Sequence, residues 1–161
     1  MTARTRGFTL IEILVVVLLL VIMMAMVGLK LGGDDRKDVR QESERLAALL
    51  LMTQQEAILQ GRVLAVLLQD TGYQFQGVDD KNHFVDLDKD SLLRPYEFPN
   101  TISIRAITLD GAPAGKEPRV ILFPTGELAQ AFEITLSKGD VRWYVEGGLD
   151  GAIRSSQEPH A

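Results

Sequence analysis

From Phe8 to Leu29 the chain is apolar except for one charge, Glu12. As a helix rising about 1.5 Å per residue, that run would extend roughly 33 Å, close to the hydrocarbon thickness of a bilayer. A cleaved secretory signal has a core of roughly 7–15 apolar residues followed by a small-x-small cleavage site. This run is longer, and Met26-Val27-Gly28 fits such a site poorly. A plain single-pass anchor fits the length but leaves Glu12 unexplained, because a carboxylate in a membrane-length segment is costly. Two accounts of Glu12 stand. It sits near a helix end and reaches the headgroups, or it meets a charged partner on another copy of a similar protein. Arg4 and Arg6 precede the run, and Lys30, Arg36, Lys37 and Arg40 follow it. A count of flanking positive charges therefore does not fix orientation.

The remainder of the 161 residues suffices for one modest core. Net charge is -5 with scattered basic residues, which argues against a nucleic-acid partner. The tail from Ser155 carries no Lys or Arg. The absence of cysteine excludes disulfides and thiol chemistry. Asp35 to Gln60 reads as a helix. Val39, Leu46, Leu50 and Ala57 recur near a 3.6-residue period, and Ala47, Leu51 and Ile58 widen the stripe. Arg40, Glu44, Arg45 and Glu56 form the charged side. Gly32-Gly33 predicts a soft point before this helix, with Asp34 or Asp35 capping a restart. Gly61 predicts its end.

After Gly61 the period changes. Val63–Leu68 and Val120–Phe123 are apolar runs of strand length. Tyr73–Gln76, Ile102–Arg105, Phe132–Leu136 and Val141–Val145 alternate, with Gly and Pro turns between them. Asp110 to Arg119 reads as an exposed loop, and the polar tail from Ser155 as frayed. The expected fold is α+β: one long helix packed on an antiparallel β-sheet domain. Of Trp143 and Tyr144 on a late strand, one is expected to pack in the core; a partner surface formed by the two is the alternative.

The one metal-like pattern is Asp86, Asp88, Asp90 and Glu97. Its carboxylates take positions 1, 3, 5 and 12 of a calcium-binding helix-loop-helix motif. Ser91 replaces the turn glycine, Pro95 lies inside the loop, and neither flank reads as a helix of that motif. A solvated acidic loop is the preferred account, and a membrane-anchored calcium-sensing module is kept as an alternative. His83 and His160 are isolated. No catalytic constellation stands out, so an enzyme is not expected, and nothing calls for a cofactor.

Arg6-Gly7-Phe8-Thr9-Leu10-Ile11-Glu12 resembles the leader motif of type IV prepilins and pseudopilins. The resemblance implies cleavage by a prepilin peptidase between Gly7 and Phe8 and N-methylation of Phe8. It also implies that Glu12 pairs with the N-terminal amine of a neighbouring subunit. Such a buried pair sets register more than it adds stability. Glu44–Leu49, Gln55–Gly61, Leu93-Arg94-Pro95 and Phe123–Glu127 ahead of Phe132–Leu136 resemble the minor pseudopilin H branch of the GspH/FimT family. The resemblance implies a cleaved leader (1–7), a transmembrane and assembly helix (8–29), and a periplasmic half of that helix (30–61). A periplasmic β-rich domain (62–154) and a flexible tail (155–161) would follow. It places the protein in the bacterial inner membrane, single-pass, with the N-terminus cytoplasmic and the remainder periplasmic in a pseudopilus. Its role would be structural, near the tip of a type II secretion pseudopilus, linking a complex of other minor pseudopilins to the major-pseudopilin shaft. The alternative is a FimT- or FimU-like minor pilin of a type IV pilus, with DNA binding open in that case.

Overall fold

A computed structural model describes residues 10–87, 93–99 and 101–159; the side chains of 25–34 lie outside the description. Among the described residues the order is one helix, α1 (Leu10–Gln60), followed by ten strands. These are β1 (Leu64–Gln69), β2 (Gly72–Val78), β3 (Phe84–Asp86), β4 (Tyr96–Glu97) and β5 (Ser103–Leu109). Then come β6 (Ala112–Pro113), β7 (Arg119–Leu122), β8 (Phe132–Lys138), β9 (Val141–Gly147) and β10 (Ile153–Ser156). Two compact units divide the molecule, one ending at Asp35 and one running from Arg36 onward.

In the second unit, the helical stripe from Val39 to Ala57 is buried as its spacing predicts. Val39, Leu46, Ala47, Leu50 and Ala57 join one core with residues of both sheets. Leu51 and Ile58 do not widen the stripe; they are 37% and 48% exposed. Their places on the buried face go to polar side chains, Glu42, Ser43 and Thr53. The two hydroxyls are tolerated there because they donate to helix carbonyls, Ser43 to Arg40 at 2.8 Å and Thr53 to Leu49 at 2.7 Å. Gly61 closes the helix at φ +63°, where a side chain would be strained. Its N–H donates to the Ile58 carbonyl and that of Arg62 to the Ala57 carbonyl, satisfying the last turn. The Gly32-Gly33 soft point does not interrupt the element: α1 remains helical from Leu10 to Gln60.

All strand pairings are antiparallel. The first sheet runs β3-β2-β1-β7, with β4 also on β2; the second runs β10-β9-β8-β5-β6. The six expected strands are β1, β2, β5, β7, β8 and β9. The expectation missed β3, β4, β6 and β10, all of four residues or fewer. Strands so short carry too few alternating positions for a period-2 signal. β6 falls inside the expected loop 110–119, and β10 reaches Ser156. Trp143 is buried and donates through Nε1 to Ser155 Oγ at 3.0 Å, and Ser155 Oγ donates to Ser43 Oγ at 3.0 Å. That run of hydroxyls ties the last strand to α1. Asp38 and Lys138 (2.7 Å), and Arg36 with Gln157, make further links from α1 to the second sheet.

The expected transmembrane helix at 8–29 requires correction, and with it the single-pass inner-membrane topology. Among the described residues no helix is long and apolar enough to cross a membrane. Glu12 places a carboxylate within the described apolar stretch, Leu10 to Met24, at a high cost in a hydrocarbon interior. Of the expected fold class, the α+β arrangement with a helix packed on antiparallel sheet stands, and its transmembrane element does not.

Candidate assembly site

Between Leu10 and Met24 the first unit presents one kind of surface. Every apolar residue from Leu10 to Met24 is exposed, from 46% at Val15 and Ile22 to 84% at Leu10. An apolar stripe on one face would indicate packing against the protein's own body; apolarity all round requires cover on every side. Glu12 is exposed in the first turn of α1. It is the single charge on that surface, with Leu10, Ile11 and Ile13 around it. Gly7 and Phe8 lie outside the described residues.

The acidic pattern is split by the fold. Asp86 ends β3 opposite Gln76, and Glu97 ends β4 opposite Gly72. Those positions are four residue steps apart on β2, about 13 Å along a strand. Asp86 accepts a hydrogen bond from Gln76 Nε2 at 2.8 Å. Gln76 Oε1 in turn accepts from Arg119 Nε at 2.9 Å. Asp88 and Asp90 lie outside the described residues. His83 stays local, beside Asp79, whose carboxylate caps the 79–83 turn through the N–H groups of Lys81 and His83.

The body carries two concavities of note. A groove of about 520 Å³ runs between β1 and β5 under the 114–118 loop, with Asp70, Arg105 and Lys116 on its rim. A smaller pocket of about 310 Å³ lies where α1 meets β2 and β4. Beside it Tyr73, Phe75, Tyr96 and Phe98 form a connected aromatic cluster, with ring centroids 5.4–6.1 Å apart. Arg45 lies 3.8 Å over the Tyr96 ring and donates to its hydroxyl at 3.1 Å. That hydroxyl donates to Glu42 Oε1 at 3.2 Å. Sequence reasoning missed this group, taking Arg45 as part of a solvated face. A signal existed: Glu42 falls three residues after Val39 and four before Leu46, on the buried side of the helix.

The family model of the type II transport protein GspH matches residues 42–151, and that of the prokaryotic N-terminal methylation motif matches residues 2–28. The chain belongs to the GspH family. The type II secretion system protein H of Aeromonas hydrophila is 30% identical over 155 residues, covering 85% of this chain and 83% of that protein. Its counterpart in Pseudomonas aeruginosa is 28% identical, covering 78% and 79%. The minor pseudopilin EpsH of Vibrio cholerae shares the fold at a TM-score of 0.62 and 18% identity, covering 78% of this chain and 98% of EpsH. The type IV minor pilin FimU of Pseudomonas aeruginosa does so at 0.55 and 18%, covering 77% and 90%. The fold alone thus spans secretion and pilus proteins, and the sequence relatives separate them. This GspH-family protein is a minor pseudopilin of the type II secretion system. Membership implies contact with other pseudopilins and with the peptidase that processes them.

Proposed function

We propose that this protein is processed at its leader and assembles through the exposed apolar half of α1. It would then join a complex of other minor pseudopilins to the major-pseudopilin shaft near the pseudopilus tip. The observation that carries this reading is the first unit itself. Apolar side chains from Leu10 to Met24 are exposed on all sides of the helix, with one carboxylate, Glu12, among them. Such a surface calls for apolar cover, which other apolar helices supply in an assembly, and a carboxylate within that cover needs a cation. The N-terminal amine released by cleavage between Gly7 and Phe8 supplies one, and N-methylation of Phe8 leaves its positive charge in place. The match of the methylation motif to residues 2–28 supports this chemistry.

Processing is tested by replacing Gly7 with a bulky residue, Gly7→Trp, and sequencing the N-terminus of the protein recovered from cells making the peptidase. The expected result is an intact leader in the variant and Phe8 at the N-terminus of the wild type. Recovery of the variant with Phe8 at its N-terminus would contradict the assignment of the cleavage site.

A further inference from the structure

The smaller pocket of the body has an unbalanced set of hydrogen-bonding groups. Tyr73 is 1% exposed and lines the pocket; the Arg45 guanidinium lies beside its hydroxyl, but no group meets that hydroxyl in good hydrogen-bond geometry. A buried hydroxyl without a partner is costly and calls for one. Burial also holds Tyr73 well above the ordinary tyrosine pKa, so it is a neutral donor at any physiological pH. Arg45 donates one N–H to Tyr96 and, beside Tyr73, lines the pocket. Arg94, exposed on the pocket wall, has no partner among the described residues. The Tyr96 hydroxyl is already used in both directions, accepting from Arg45 and donating to Glu42. Glu42, whose Oε2 is also buried without a partner, lines a different concavity, with Asp38 and Ile102.

Among the described residues, donors and positive charge therefore converge in the pocket, and the one carboxylate beside it, Glu42, is held by the Tyr96 hydroxyl and is not part of its lining. The remaining walls, Leu49, Phe75 and Pro95, are apolar. The ligand that fits is an anionic acceptor on an apolar stem. Guanidinium forks match a planar carboxylate, and the aromatic walls suit the methylenes behind it. The close approach of β4 to β2 holds the Tyr96 wall in place. A Cβ on Gly72 would collide with the Tyr96 carbonyl oxygen, so only glycine lets the strands meet there.

We propose that this pocket, between Arg45, Arg94 and Tyr73, binds a carboxylate presented by a protein partner, either an acidic side chain or a free C-terminus. The proposal rests on the assembly reading only for the protein source of the carboxylate. The pocket lies in the unit from Arg36 onward, so loss of assembly through Glu12 and loss of binding here are separable.

The test is a titration of the full-length protein, following the arginine Nε–Hε NMR signals. Three probes are used: N-acetylglutamate N-methylamide, N-acetylleucine with a free carboxylate, and N-acetylglutamine N-methylamide. The expected result is a saturable shift of the Arg45 and Arg94 signals with at least one carboxylate and none with the neutral amide. Affinity should fall at least tenfold in both Arg94→Gln and Tyr73→Phe. Arg94 is exposed, and Tyr73→Phe removes only a hydroxyl, so neither change disturbs the core. A response to the glutamate probe alone assigns a side chain, to N-acetylleucine alone a C-terminus, and to both the shared carboxylate. Absence of a saturable shift, an equal response to the amide, or unchanged affinity in either variant would overturn the proposal.

Discussion

α1 carries two apolar surfaces that obey different rules. From Val39 to Ala57 the apolar residues form a stripe, and the protein's own sheets bury it: Val39, Leu46, Leu50 and Ala57 are at most 1% exposed. From Leu10 to Met24 there is no stripe, and each apolar residue remains at least 46% exposed. The first surface stabilises the fold of one molecule. The second is left uncovered, and its only polar feature is the carboxylate at position 12. A helix can thus be read in two parts by asking where its apolar area goes.

The sharpest way to break that comparison is to truncate one leucine on each surface. Leu50→Ala should cost the body roughly 2–5 kcal/mol, because the cavity adds to the lost transfer energy. Leu18→Ala, 55% exposed, should alter unfolding of the same body by less than about 0.5 kcal/mol. Urea unfolding followed at Trp143 reads both; comparable losses would show that the two surfaces do the same work.

A second expectation concerns Tyr73. Its folded pKa is raised by burial, so the unfolded protein ionises this tyrosine first. The stability it protects is fully present below the ordinary tyrosine pKa and is lost as pH rises beyond it. One such group steepens the decline by at most about 1.4 kcal/mol per pH unit above roughly pH 10. Tyr73→Phe should flatten the decline between about pH 10 and 11.5 in urea unfolding, and an unchanged slope would contradict the burial account.

A smaller effect is expected at the half-buried pair of Asp38 and Lys138, 2.7 Å apart. Asp38→Asn should cost about 1 kcal/mol or less, and the loss should shrink in high salt. A loss insensitive to salt would assign Asp38 a packing role rather than an ionic one.

These regions also differ in how far the sequence exposed them. The stripe on α1, its stop at Gly61 and the six longer strands were legible because burial repeats at 3.6 or 2 residues. Leu51 and Ile58 were misplaced because polar Ser43 and Thr53, bonded to helix carbonyls, took the buried face instead. Short strands such as β4 were invisible for want of length. Yet β4 carries Tyr96 into the cluster that joins the helix to the first sheet. Arg45 read as surface charge because its partner Tyr96 lies 51 residues away in sequence. The leader motif was the most legible feature, since its glycine, phenylalanine and glutamate stand at fixed local spacing. The reading of a membrane span from length alone did not survive, because apolar length measures an unmet need for cover and does not name what supplies it.

The central claim is that Glu12 serves assembly and not the fold of the body. The direct measurement compares Glu12→Ala with wild type in cells making the other pseudopilins. Co-isolation with those subunits is scored alongside urea unfolding of the purified proteins. The account predicts that the variant unfolds at the wild-type midpoint while its co-isolation falls several-fold. Undiminished co-isolation of Glu12→Ala would contradict it.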